Sequence, residues 1–167
     1  LERLNIISER FNKIGSKPKL TKENIYKEIE KTVSYLRARL SNKISLEFEH
    51  PKDEIIVYLN NQLFSWSLEN IIKNSIDSIK DSGKVKISII EENEYLEIYI
   101  SDNGIGIKQS LKNKIFKPGV TTKERGWGLG LSLSKRIIEE YHKGEIKLIE
   151  SIVGKGTKML IKLKAVK

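Results

Sequence analysis

Residues 64–79 read FSWSLENIIKNSIDSI, and this stretch decides how the rest of the chain is read. At about 100° per residue, Phe64, Leu68, Ile71, Ile72, Ile76 and Ile79 fall on one broad face, as an amphipathic helix requires. On the opposite side Asn70, Asn74 and Asp77 lie within about 60° of one another. A solvated helix face normally carries Lys, Glu, Gln or Arg, because asparagine competes with its own backbone and is a poorer helix former by several tenths of a kcal/mol. Two asparagines at i and i+4 therefore point to a task. An amide oxygen ligates a divalent cation without setting a full negative charge beside bound phosphates.

Upstream of this helix, Thr21 is read as the cap of another one carrying Ile25, Ile29, Val33, Leu36 and Leu40. Ile44, Leu46 and Phe48 alternate as a strand, His50-Pro51 turns the chain, and 55–59 read as a buried strand. The central helix is expected over about 63–80, closed by Asp81, Ser82 and Gly83. Downstream, Val85, Ile87 and Ile89, then Leu96, Ile98 and Ile100, alternate on either side of a turn at 91–94, which makes a hairpin. A helix to about His142, ended by Gly144, precedes two last strands near 145–150 and 157–163, joined by a turn at 154–156. Strands mixed with three long helices predict an α+β domain with a largely antiparallel sheet. At the start, Leu4, Ile7, Phe11 and Ile14 are spaced 3, 4, 3 as the seam of a helix packed along another, and Gly15 and Pro18 end it.

Six of the eleven glycines lie between Gly104 and Gly130. DNGIGI, 102–107, follows a strand; Gly104 and Gly106 let backbone approach a ligand, and Asp102 can accept a hydrogen bond from an exocyclic amine. GWGLGLSLSKRII, 126–138, leads glycines straight into a helix, where exposed N–H groups and the helix dipole favour an anion. The GK[ST] ending of a Walker A loop is absent, and no βαβ unit follows. Between the two motifs IFKPGVTTKER, 115–125, supplies Thr121, Thr122, Lys123 and Arg125, hydroxyls and cations able to close over phosphates.

The 167 residues leave room for one compact domain and an appendage, and the absence of cysteine removes disulfides, thiolate metal sites and cysteine nucleophiles. Hydrophobic residues at 38% against 32% charged suit a buried core rather than wholesale disorder. No apolar run is long enough to span a bilayer. The formal charge of +9 suits an anionic partner, but the lysines are scattered without aromatic interleaving, so no nucleic-acid partner is expected. The chain opens on Leu1 and is read as cut from something longer.

In order, LENIIKNSIDS, DNGIGI, IFKPGVTTK and GWGLGL resemble the N box, first glycine box, F box and second glycine box of the catalytic, ATP-binding domain of sensor histidine kinases. That superfamily also holds DNA gyrase, a heat-shock chaperone and mismatch-repair ATPases. The likeness covers about residues 60–163 and implies a two-layer α/β sandwich of the Bergerat type, three helices over a mixed, mostly antiparallel sheet, with an N-terminal helix. Residues 1–18 would then be the end of the dimerisation and phosphoacceptor hairpin with its linker, and 19–167 the ATP-binding catalytic domain.

By this resemblance Asn74 would hold Mg²⁺, Asn70 would line the phosphates of ATP, and Asp102 would recognise adenine. Gly104, Gly106 and Ile107 would shape the adenine pocket, and the terminal GKGT turn would bring Thr157 to Asp102 through water. Thr121, Thr122, Lys123, Gly126, Gly128, Leu129, Gly130 and Leu131 would form the lid and phosphate cradle, with Asn70 and Lys123 as the catalytic pair. Many kinases of the family carry lysine where this chain has Asp77, so that cation would come from Lys73 or from the lid. The glutamate that activates water in the hydrolysing relatives is replaced here by Asn70, which favours phosphoryl transfer over hydrolysis.

Neither His50, in a turn, nor His142, at a helix end, suits a phosphoacceptor, which is therefore expected on an upstream hairpin absent from the chain. Expected partners are that hairpin, a second protomer through it, and a response regulator; any membrane attachment would lie in other segments, leaving this domain cytoplasmic. The rival readings are an ATP-hydrolysing conformational machine using Glu69 and a nucleotide-sensing scaffold without transfer activity.

Overall fold

A computed structural model describes residues 18–49, 54–123 and 126–166. The seam at Leu4, Ile7, Phe11 and Ile14, and with it Gly15, His50, Pro51 and Arg125, lies outside the described residues.

The first described element is a strand, β1 (Thr21–Asn24), antiparallel to β3 (Ile56–Leu59) with Thr21 opposite Leu59. Thr21 is thus not a helix cap. Its hydroxyl donates to Leu59 O and Glu23 Oε1, and the cap of α1 (Ile25–Arg37) is Asn24, whose Oδ1 accepts from Tyr26 N. Any short polar side chain just before the apolar periodicity satisfies the capping rule, and pairing of β1 with β3 takes Thr21 into a strand and leaves the cap to Asn24. α1 stops at Arg37, and Leu40 packs from the turn that follows.

Five strands form the main sheet in the order β2 (Ile44–Phe48), β4 (Gly83–Glu92), β5 (Tyr95–Asp102), β7 (Gly156–Lys164), β6 (Glu145–Ile152). β2 and β4 are parallel, joined by a crossover through β3 and the central helix α2 (Asn61–Asp77). All other pairs are antiparallel, so the mixed, mostly antiparallel sheet matches the expectation. A short helix α3 (Gln109–Lys112) follows DNGIGI, a turn the sequence did not signal. α4 (Gly130–Arg136) continues as a π-helical turn over Ile137–Tyr141, closed where His142 N donates to Ile137 O at 3.1 Å.

The core fills the space between one sheet face and the three longer helices. Alternate strand residues Val85, Ile87, Leu96, Ile98, Ile100 and Ile161 meet Ile25, Ile29 and Val33 of α1, Phe64, Leu68 and Ile72 of α2, and Ile138 after α4, all buried. Each such side chain contributes about 1.5–3 kcal/mol relative to exposure. This burial fixes α2 by its apolar face and turns the opposite stripe away from the core, with Asn70 against Gly130 and with Asn74 and Asp77 toward Lys123.

Candidate nucleotide-binding site

α2 begins two residues earlier than expected, capped by Asn60, whose Oδ1 accepts from Leu63 N at 3.1 Å. From this fixed start the polar stripe emerges in order. Asn70 lies under the start of α4, where a Cβ added to Gly130 would stand 3.7 Å from its amide carbon and oxygen. Asn70 Nδ2 is buried and has no hydrogen-bond partner in the protein. One turn on, Asn74 Oδ1 accepts from Lys123 Nζ at 2.9 Å, and the same ammonium reaches Asp77 Oδ2 at 2.5 Å. Lys123 comes from the segment between the glycine motifs, and of the two cation sources expected from the sequence it is the one that meets the stripe. Lys73 does not: its ammonium pairs with Glu69 along the helix.

Beyond Asp77 the helix ends at Ser78, whose one hydroxyl proton is shared between Ser75 O at 2.7 Å and Asp102 Oδ1 at 3.2 Å. The same oxygen accepts from Gly104 N at 2.9 Å and Thr157 N at 3.2 Å, so three donors orient the carboxylate at the end of β5. Asp102 and Thr157 thus meet through the Thr157 backbone N–H, and the Thr157 hydroxyl lies 2.9 Å from Ser151 Oγ. Ser151 in turn accepts from Ile107 N at 2.8 Å, which ties the first glycine motif to β6. Gly104 packs so tightly on Ser78 that any side chain there would collide with it.

In the glycine-rich segment, Gly128 has φ +65° and its Cα sits on the Gly119–Val120 backbone, where a Cβ would fall 2.5 Å from Gly119 C. Gly119 N donates to Gly128 O at 3.0 Å and closes this segment into a loop. Thr121 Oγ1 accepts from Lys123 N at 3.1 Å, Gly126 lies against both residues, and Thr122 is exposed. Trp127 is 66% exposed. Leu129 opens α4 with no side-chain cap and no acidic residue in the first turn, while Leu131 packs on the core. The first-turn N–H groups of α4 are thus left without the side-chain acceptor that α1 and α2 both have.

The residues fit a metal-bound triphosphate. An ammonium already stands between Asn74 Oδ1 and Asp77 Oδ2, so these oxygens converge on a cation. The orphaned Asn70 amide and the uncapped start of α4 supply donors for anionic oxygens. Among the described residues no three His, Cys, Asp or Glu side chains gather as a metal site, so a metal here would need ligand oxygens as well. Ser78 and Ser151 were not singled out from the sequence, yet with Gly156 of the GKGT turn they surround Asp102. Ser78 carried a readable signal, since it falls one turn after Asn74 on the same face.

His142 is a structural residue. Its Nδ1 lies 2.8 Å from Ile137 O, which only accepts, so the proton is on Nδ1 and Nε2 accepts from Asn60 N at 3.1 Å. Burial holds this imidazole below its ordinary value of 6.5, opposed in part by the Ile137 carbonyl. Among the described residues no helix is long and apolar enough to cross a membrane.

The family described as histidine kinase-, DNA gyrase B-, and HSP90-like ATPase matches residues 62–167. Sporulation kinase A of Bacillus subtilis (strain 168) is 32% identical over 162 residues, 94% of this chain and 26% of that protein. Nitrogen regulation protein NtrY of Azorhizobium caulinodans is 38% identical over 111 residues, 62% of this chain and 14% of that protein. The chain therefore spans about a quarter or less of these relatives. Among solved structures, the nucleotide-free catalytic domain of histidine kinase ThkA superposes with TM-score 0.78 at 27% identity, covering 87% of this chain and 95% of that one. The structure of ThkA in complex with the response regulator TrrA shares the fold, with TM-score 0.80 at 23% identity over 99% of this chain and 48% of that one.

Proposed function

The chain belongs to the histidine kinase-, DNA gyrase B-, and HSP90-like ATPase family, and on that premise we propose that it is the ATP-binding catalytic core of a two-component sensor histidine kinase. It passes the γ-phosphate of ATP to a histidine on a helical hairpin, expected upstream, working as a dimer and serving a response regulator. Its place is cytoplasmic, where ATP is supplied, with any membrane attachment outside residues 19–167. The observation that carries this reading is the continuity of one helix. α2 presents Asn74 to a cation and, one turn later, Ser78 to Asp102, so phosphate and purine ends of one ligand are addressed from a single rigid element.

In this reading Asp102, fixed by Ser78, Gly104 and Thr157, accepts from the adenine amine, with Gly106 and Ile107 walling the ring. Asn70, Lys123 and the N–H groups around Gly128, Gly130 and Leu131 hold the phosphates in line, since positioning and charge stabilisation make up most of phosphoryl-transfer catalysis. Mg²⁺ on Asn74 would neutralise charge on the phosphates. Glu69 is engaged by Lys73, which supports transfer to a protein acceptor over activation of water.

Calorimetry of ATP with Mg²⁺ tests the site. Asn74→Ala and Asp102→Ala are each expected to lose about 1.5–3 kcal/mol of binding, roughly 10–150-fold in affinity, because each removes a charge-assisted contact. Phosphate is then expected to appear on an added acceptor hairpin. Unchanged affinity in both variants overturns the site, and binding without transfer leaves the scaffold reading standing.

A further inference from the structure

We propose that Asp77 is a second oxygen ligand for the divalent cation assigned to Asn74, and that the Lys123 ammonium holds this seat until the metal displaces it. The inference rests on the kinase reading above. Asn74 and Asp77 lie three residues apart on one face of α2, and one ammonium donates to Oδ1 of the first at 2.9 Å and Oδ2 of the second at 2.5 Å. Two oxygens from different side chains that converge on a single cationic atom define a cation seat, whichever cation fills it.

Three features decide that the ammonium is a replaceable occupant rather than a permanent bridge. The Lys123 and Asp77 side chains are 41% and 52% exposed, and pairs so open to water are screened and weak. A divalent ion carries twice the charge to the same carboxylate. Magnesium characteristically combines one or two carboxylates with substrate phosphates and water, and Asp77 supplies the carboxylate that the asparagine stripe lacks. The neighbouring charges leave the seat alone, since Lys73 is committed to Glu69 one turn earlier. Displacement frees the Lys123 ammonium beside the phosphates, so one exchange both seats the metal and delivers the cation.

Mn²⁺ serves as the probe, titrated into the chain saturated with a non-hydrolysable ATP analogue and followed by the magnetic-resonance signal of the free ion. Asp77→Asn is expected to weaken Mn²⁺ about tenfold, both alone and in the Lys123→Met background, as loss of a metal-orienting group does. Brief acylation read by mass spectrometry gives a second measure that needs no nucleotide. Lys123 is expected to react more slowly than exposed Lys117, and to speed up in Asp77→Asn. If Asp77→Asn leaves Mn²⁺ affinity unaltered in the Lys123→Met background, Asp77 only anchors the lysine and the proposal is overturned. A chain that binds no nucleotide, with Asp102→Ala indistinguishable from it, instead refutes the kinase reading, and this inference falls with it.

Discussion

The two ends of α2 use the same residue type for opposite purposes. At the start, Asn60 spends every polar group on the protein: Oδ1 on Leu63 N, Nδ2 on Lys19 O, and its own N–H on His142 Nε2. Ten residues on, Asn70 Nδ2 is buried without a partner. Asn61 Oδ1 and Ser67 Oγ are also unpartnered, but only Asn70 lies beneath Gly130 and one turn from the Lys123 contact with Asn74. The first end spends hydrogen-bonding capacity on stability, and the second holds it in reserve. Lack of a partner is not diagnostic alone, since Asn61 Oδ1 has none either; what sets Asn70 apart is an orphaned donor placed beside Gly130 and the Lys123 contact.

The largest expected effect separates the ends by packing. Phe64, fully buried and edge-on to His142 at 6.3 Å, anchors the start of α2. Phe64→Ala is expected to cost about 3–5 kcal/mol in urea unfolding. Nucleotide affinity of the folded fraction should nonetheless stay within about twofold, since distant sites with no shared partner act independently. An affinity loss as large as the stability loss would mean the two ends are one unit.

A sharper version exchanges only the amides. Asn60→Ala removes a cap and is expected to cost about 1 kcal/mol, lowering the melting temperature by about 2–4 °C, with nucleotide affinity unchanged. Asn70→Ala removes an orphaned donor and improves helix propensity, so the melting temperature should hold or rise while nucleotide affinity falls about tenfold. Equal thermal losses in both variants, read by scanning calorimetry, would erase the distinction.

How much of this could be read beforehand divides along the same line. The sheet, the hairpin and the apolar faces of the helices were legible because alternation and 3.6-residue periodicity are local. Thr21 was misread because pairing of β1 with β3 is set by a partner 38 residues away, at Leu59. The stripe of Asn70, Asn74 and Asp77 was legible as an anomaly of composition on one helix face. That Lys123 rather than Lys73 meets it was not, since the choice depends on a loop closed by Gly119 and Gly128. Ser151 stayed hidden for a related reason: the bulge between Leu148 and Glu150 breaks the alternation that would have assigned its face.

The smallest effect concerns proton uptake at the satisfied end. In the folded chain His142 is neutral, donating from Nδ1 to Ile137 O and accepting at Nε2 from Asn60 N–H, and burial pushes its pKa below the ordinary 6.5. A proton at Nε2 would take the lone pair that Asn60 N–H uses and set two donors facing each other. The unfolded chain has no such constraint and takes up the proton near the ordinary value, so below it the unfolded state binds more protons than the folded one. The stability contributed by the neutral imidazole is thus complete above 6.5 and is lost as the pH falls from there through the depressed folded value. Melting temperatures of the unaltered chain and of His142→Gln, taken from pH 8 to pH 5, isolate this contribution, because every carboxylate and His50 are common to both. The difference between the two curves should be constant above about pH 7 and shrink below it, and parallel curves would show that the end of α2 is not closed by a neutral histidine.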